Sequence, residues 1–186
     1  MRFVDTPAEQ FLAKLQTAID QPEAPAAPKS GKLKVFLMYA PEDEAIKTAL
    51  DGQLNPIKRT EFIETWDESQ LRGGDETESE IARRIEEADI ILPLITAHFF
   101  GSDAIFEHQL QLALRRHEAK KTVVIPLLMR ACIWEGSPLD ALKATILPRN
   151  LTAMDKQDNP ETALADTVTQ LSGWCKKIFD RKKLAK

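Results

Sequence analysis

From Gly31 onward, short apolar runs alternate with amphipathic segments, and this alternation constrains the fold more than any other feature of the 186 residues. An apolar run buried on both faces reads as a strand of a parallel sheet, and the amphipathic segment between two such runs reads as a crossover helix. LKVFLMY, residues 33–39, predicts the first strand. A helix over 42–54 follows, with Ile46, Ala49 and Leu50 inward, and then a strand TEFIETW closing at Trp66. Past the loop DESQLRGGD, Asp75 is placed to cap a helix with Glu78 as its N3 partner, and Ile81, Ala82 and Ile85 form the inner face. The strand ADIILPLIT comes next, then a helix over 103–120, the run TVVIPLLM, an irregular stretch and a weak last strand over 144–147. Asn159-Pro160 predicts the cap of a final helix carrying Leu164, Val168, Leu171, Cys175 and Ile178 on one stripe. Pro93 and Pro126 fall inside strands, where each removes a ladder hydrogen bond, and predict a bulge or kink.

These elements compose a flavodoxin-like α/β fold: five parallel strands in the order 2-1-3-4-5 with helices on both faces. An appendage precedes it. Thr6-Pro7-Ala8-Glu9 is a capping box, and Phe11, Leu12, Leu15, Ala18 and Ile19 give the short helix it starts one apolar face, for docking or for packing on its own domain. QPEAPAAPKSGK reads as a semi-rigid linker, so residues 1–30 divide from a domain over 31–186. No apolar stretch approaches the roughly 20 residues of a membrane span, and MRFVDTPAEQ lacks the features of a secretory signal, which predicts a cytoplasmic protein. A net charge of -4 gives no general affinity for nucleic acid, and the basic stretch 176–186 reads as a solvated helix end.

Ligands of such sheets bind outside the carboxyl ends of the strands, which here means residues 40–44, 67–75, 97–107 and 130–138. None of the seven glycines falls in a dinucleotide or phosphate-cradling motif. A phosphoacceptor domain needs an aspartate ending the third strand, where Thr96-Ala97-His98 stand instead. Gly73-Gly74 frees the loop backbone either for a partner or for a tight turn. His98, His108 and His117 share no metal spacing, Cys132 and Cys175 form no zinc motif or disulfide framework, and no metal site is expected.

VFLMYAPEDE, ETWDESQLRGGD, EEADIILPLITAHFFGSD, ALRRHEA and VVIPLLMRACIWEGSPL, in this order and spacing, resemble a bacterial-type TIR (Toll/interleukin receptor) domain over residues 33–179. The resemblance implies assembly with other TIR domains, often through the loop after the second strand (the BB loop, here Leu71, Arg72, Gly73 and Gly74), and in many members cleavage of NAD at the nicotinamide ribosyl bond. No cofactor is implied beyond NAD as substrate or ligand. Tyr39, Trp66 and Ser102 fall at the family's ligand-facing positions.

The family's cleavage chemistry rests on a glutamate in the helix after the third strand. Aligning Ser102-Asp103 and Leu110 puts Gln109 there, with Glu107 the nearest carboxylate. Two residues on an α-helix lie about 200° apart, so Glu107 and Gln109 should flank opposite sides of the stripe Phe106, Leu110, Ala113 and Leu114. Met38 and Ala40 also replace two serines, and Gly73 the loop proline, of the family pattern. The expectation is a signalling or defence protein acting through TIR self-assembly with a weakened or absent catalytic site; the alternatives are an NAD glycohydrolase and a nucleotide sensor that binds without turnover.

Overall fold

The computed structural model describes residues 31–60, 62–72 and 77–184. The helix and linker expected over 1–30, the Gly73-Gly74 pair and the Asp75 cap lie outside them. Five strands form the sheet: β1 (Leu33–Met38), β2 (Ile63–Trp66), β3 (Ile90–Ile95), β4 (Val123–Val124) and β5 (Leu127–Leu128). Their order is β2-β1-β3-β4, with β5 also on β3, and every pairing is parallel. Register is fixed at the centre by Val35, opposite Thr65 on one side and Ile90 on the other.

The run TVVIPLLM does not make one strand. Pro126 has no N–H to give, so the ladder on β3 stops after Val124 and resumes at Leu127. Pro93 is accommodated inside β3, opposite Met38. The expected last strand over 144–147 shrinks to a single bridge, Leu147 to Leu127, because Pro138–Thr145 winds into a 3-10 helix. Leu147 N–H donates to the Pro126 carbonyl at 2.9 Å, so the edge of the sheet is closed there by one residue.

Helices α1 (Glu44–Arg59), α2 (Thr77–Glu87), the short α3 (Ala97–Gly101), α4 (Leu110–Glu118) and α5 (Pro160–Leu184) flank the sheet. Along β1 the side chains alternate between two buried clusters, as the two-fold period of a strand requires. Leu33, Val35, Leu37 and Tyr39 pack with Leu50 and Leu54 of α1 and with Val168, Leu171 and Cys175 of α5. Phe36 and Met38 pack on the other face with Ile81 and Ile85 of α2 and Leu110 and Ala113 of α4. Two buried faces explain why β1 reads as an uninterrupted apolar run.

α1 continues five residues beyond the expected end at Leu54, through Pro56 to Arg59. The buried side chain of Ile57 rewards that extra turn, and Thr60 closes it with its N–H and hydroxyl on the Ile57 carbonyl at 3.2 and 2.6 Å. Ala49 faces solvent rather than the core, and Lys47 is buried instead. α3 precedes the helix expected from 103 and has no counterpart in the sequence pattern; the Thr96 hydroxyl caps it by accepting from the Phe99 N–H at 3.1 Å. The Asn159 side chain caps α5 as expected, accepting from the Thr162 N–H at 3.0 Å. No described helix is long and apolar enough to cross a membrane.

Candidate functional site at the carboxyl ends of β1 and β2

β1 leads into Tyr39, and β2 leads through Asp67 into a 3-10 turn at Glu68–Gln70. Because the strands are parallel, both exits lie at one end of the sheet, beside the first turn of α1. The Tyr39 hydroxyl donates to Glu44 Oε2 at 2.5 Å and lies 3.4 Å from Asp67 Oδ1. Lys47 Nζ stands 2.9 Å from Glu44 Oε1 and 3.5 Å from Asp67 Oδ1, and donates to Ser69 Oγ at 3.3 Å. Asp67 further accepts from the Ser69 N–H at 2.9 Å and from Gln70 Nε2 at 3.2 Å.

This network shifts its members in opposite directions. Burial, reinforced by the hydrogen bond to Glu44, pushes the Tyr39 phenol far above its usual range. The Tyr39 hydroxyl and the Lys47 ammonium hold Glu44 below the ordinary carboxylate range. For Asp67, burial alone would raise the carboxyl; hydrogen bonds from Ser69 and Gln70 and the charge on Lys47 outweigh it and leave it lowered. Burial likewise opposes the charge on Lys47, and Glu44 and Asp67 overcome it. A neutral phenol among fixed ions holds the start of the BB-loop segment against α1.

The helix expected to begin at Asp103 opens as a π-helical segment, Ala104–Gln109, in which the Leu110 N–H reaches back five residues to the Ile105 carbonyl. The wider turn moves the buried positions. Ile105, Gln109, Leu110 and Ala113 now face inward, whereas Phe106 and Leu114 are half-buried and Glu107 is exposed. The two residues still differ in facing, but the α-helical stripe expected from Phe106 is displaced by one position.

Gln109 is only 9% exposed, and its Nε2 donates to Glu68 Oε1 at 2.6 Å. Its own Oε1 is buried without a hydrogen-bond partner, as is Oδ1 of Asp43, whose other oxygen accepts from the Thr96 hydroxyl. The Gln109 side chain is therefore bound to the loop leaving β2, with one acceptor left over.

Tyr39 and Trp66 do not share a pocket. Trp66 lies on the opposite face of the sheet, stacked on Phe36 at 5.4 Å between ring centroids, with the Arg84 guanidinium 5.1 Å over its ring. There it lines a cavity of about 600 Å³ with Lys34, Leu71, Arg72 and Arg83, apart from Tyr39 and Gln109. Ser102 is half-buried after α3, and its carbonyl accepts from the Phe106 N–H at 2.9 Å. Among the loop residues Leu71 is half-buried against the α2-side cluster and Arg72 is exposed.

Sequence reasoning marked the segment 67–75 but gave Asp67 and Glu68 no role of their own, and it did not single out Lys47. A lysine on the inward face of α1, three residues after Glu44, and an aspartate directly after a strand were the available signals. Among the described residues no three His, Cys, Asp or Glu side chains group as a metal site. His117 instead takes the Val124 N–H on its Nδ1 at 3.1 Å. Both cysteines are free, and burial pushes the Cys175 thiol up to about 12 and raises that of Cys132.

The TIR domain family matches residues 35–167 of this chain. The chain belongs to the TIR family. An uncharacterized protein of Sinorhizobium fredii, y4lF, is 33% identical to this TIR protein over 142 residues, 75% of this chain; the match spans 43% of the relative's length. Among solved structures, the TIR domain of the Toll-related receptor TRR-2 from Hydra magnipapillata is 25% identical, with a TM-score of 0.44 over 53% of this chain and 71% of that one. The TIR domains of the activated Roq1 resistosome, which directly recognizes the pathogen effector XopQ, are 19% identical, with a TM-score of 0.48 over 81% of this chain and 96% of that one.

Proposed function

We propose that this TIR domain acts in signalling or defence by associating with copies of itself, and that NAD cleavage by it is weak or absent. The observation that carries the reading is Gln109: where the family resemblance expects a glutamate, this chain has a buried amide whose nitrogen donates to Glu68. Positive charge develops on the sugar as nicotinamide leaves, and an amide supplies no charge to oppose it. Losing one preorganised electrostatic group costs on the order of 10²–10³ in rate at comparable sites.

Purified protein incubated with NAD at high concentration and with a crowding agent tests this. The expected result is little or no nicotinamide release by the wild type and a measurable gain in Gln109→Glu. Robust wild-type release that survives Gln109→Ala and disappears in Glu107→Ala would overturn the reading, because Glu107 would then be the carboxylate that opposes the charge on the sugar.

One observation favours a second reading, an active NAD glycohydrolase. Glu68 Oε1 accepts from Gln109 Nε2 at 2.6 Å, so a carboxylate stands beside the amide and supplies the negative charge that the amide lacks. On that reading the wild type releases nicotinamide and Glu68→Gln abolishes the release while leaving the fold intact.

A further inference from the structure

The strands are all parallel, so α1 and α4, each of which leads into a strand, finish at the amino end of the sheet. α1 closes with Lys58 and Arg59 ahead of β2, and α4 with Arg115 and Arg116, followed by Lys120 and Lys121 ahead of β4. α5 finishes at the same end. Phe179 meets Phe62, immediately before β2, at 5.2 Å between ring centroids, and Lys182 pairs with Asp89, immediately before β3. Basic last turns suit their own helix dipoles, but Lys120 and Lys121 carry the charge beyond any helix, and three elements gather it at one end of the molecule.

Carboxylates at this end are partly engaged. Glu87 is held by Lys34 at 2.7 Å and Asp89 by Lys182, whereas Glu86, Glu118 and Asp180 are exposed. Against these three stand Arg59, Lys120, Lys121, Lys177, Arg181 and Lys183, all exposed and in no ion pair among the described residues. The tip of α5 adds an apolar group, because Leu184 is 87% exposed. At about 100° per residue it falls opposite the buried Cys175, on the side that Lys177 and Arg181 share at i, i+4 and i+7 spacing. It also lies beyond Phe179, which marks the level where β2 starts, so α5 carries it roughly 7 Å further along the helix axis.

A leucine among cations at a helix tip suits a lipid interface, where the apolar side chain enters the acyl boundary and the cations meet anionic headgroups. Single-stranded nucleic acid is instead held on exposed aromatic platforms, and the exposed large apolar residues among those described are Ile133 and Leu184, neither of them aromatic. We propose that the amino end of the sheet, with the tip of α5 foremost, docks on an anionic lipid surface. A chain with a net charge of -4 is drawn to such a surface by this end alone, since the carboxyl end exposes Glu42, Asp103 and Asp140. Docking therefore turns the Glu68–Gln109 contact away from the lipid. The proposal goes beyond the self-association reading and does not depend on it.

The test is co-sedimentation of the full chain with phosphatidylcholine vesicles, alone or with about 30 mol% phosphatidylserine, where each cation near the surface tightens binding about five-fold. NaCl is varied from about 50 to about 500 mM, which shortens the reach of charge severalfold. Lys177→Glu with Arg181→Glu reverses α5, Lys120→Glu with Lys121→Glu reverses the end of α4, and melting temperatures check both folds. Leu184→Ser changes a side chain that faces solvent and leaves the fold alone. The expected result is binding to the phosphatidylserine vesicles only, weakening as salt rises, with a loss of roughly ten-fold or more in each reversal. Leu184→Ser should lose about five-fold. Equal binding to neutral vesicles, binding that survives both reversals, or no vesicle binding at all would each overturn the docking. Tighter binding to an oligouridylate than to the vesicles, unchanged in Leu184→Ser, would overturn it too and make this end a nucleic-acid surface.

Discussion

Replacing Gln109 by glutamate sets a second carboxylate where an amide now donates to Glu68 at 2.6 Å. Two carboxylates at that distance cannot both ionise cheaply, so one takes a raised pKa. A group whose folded pKa lies above its unfolded value loses stability as pH rises past the unfolded value. Gln109→Glu should therefore melt below the wild type at pH 7, by about 1–3 kcal/mol in urea, and the gap should narrow toward pH 5. An equal gap at both pH values would mean that the Glu68 contact is absent in solution. Asp67 has the opposite sign: its folded pKa is lowered, so its contribution is complete above about pH 4 and is lost as pH falls through the folded value. Asp67→Asn should cost stability at neutral pH and flatten the acid limb of the stability profile below about pH 4, which titration of the urea midpoint checks.

At the scale of elements, α5 joins local and tertiary signals. Its start is a local matter, one side-chain oxygen of Asn159 on the Thr162 N–H, and Asn159→Ala should cost about 1 kcal/mol by urea denaturation. Its position is a tertiary matter, because Leu171 is buried among residues of β1, β3 and α1. Leu171→Ala should cost about 2–5 kcal/mol, and a loss no larger than that of the cap variant would show that the helix is loosely docked. The start of α5, set by such a side-chain cap, was legible in the sequence. α1 was not, since Pro56 is a stop signal in any local reading, and only the burial of Ile57 explains the turn that continues through it.

For the molecule as a whole, residues 31–184 hold both buried clusters on the two faces of one sheet. A chain beginning at Gly31 should keep a cooperative thermal transition and lie within about 2 kcal/mol of the full chain, because the linker over residues 21–30 is Pro- and Ala-rich and holds no large apolar residue. A larger loss would place Phe11, Leu15 and Ile19 in the core.

The sequence by itself determined the class of sheet, its strand content through β3 and the apolar stripe of α5, because each is written in a local period. Only the tertiary structure decided what surrounds Gln109. Periodicity assumes about 100° per residue, and a segment with five-residue hydrogen bonds breaks that assumption without leaving a mark in composition. The contact of Gln109 with Glu68 spans 41 positions, and the Tyr39–Asp67 approach spans 28. Pairs so distant meet because parallel pairing of β1 with β2 and with β3 brings the three exits to one end of the sheet, a condition that no local stretch of sequence contains.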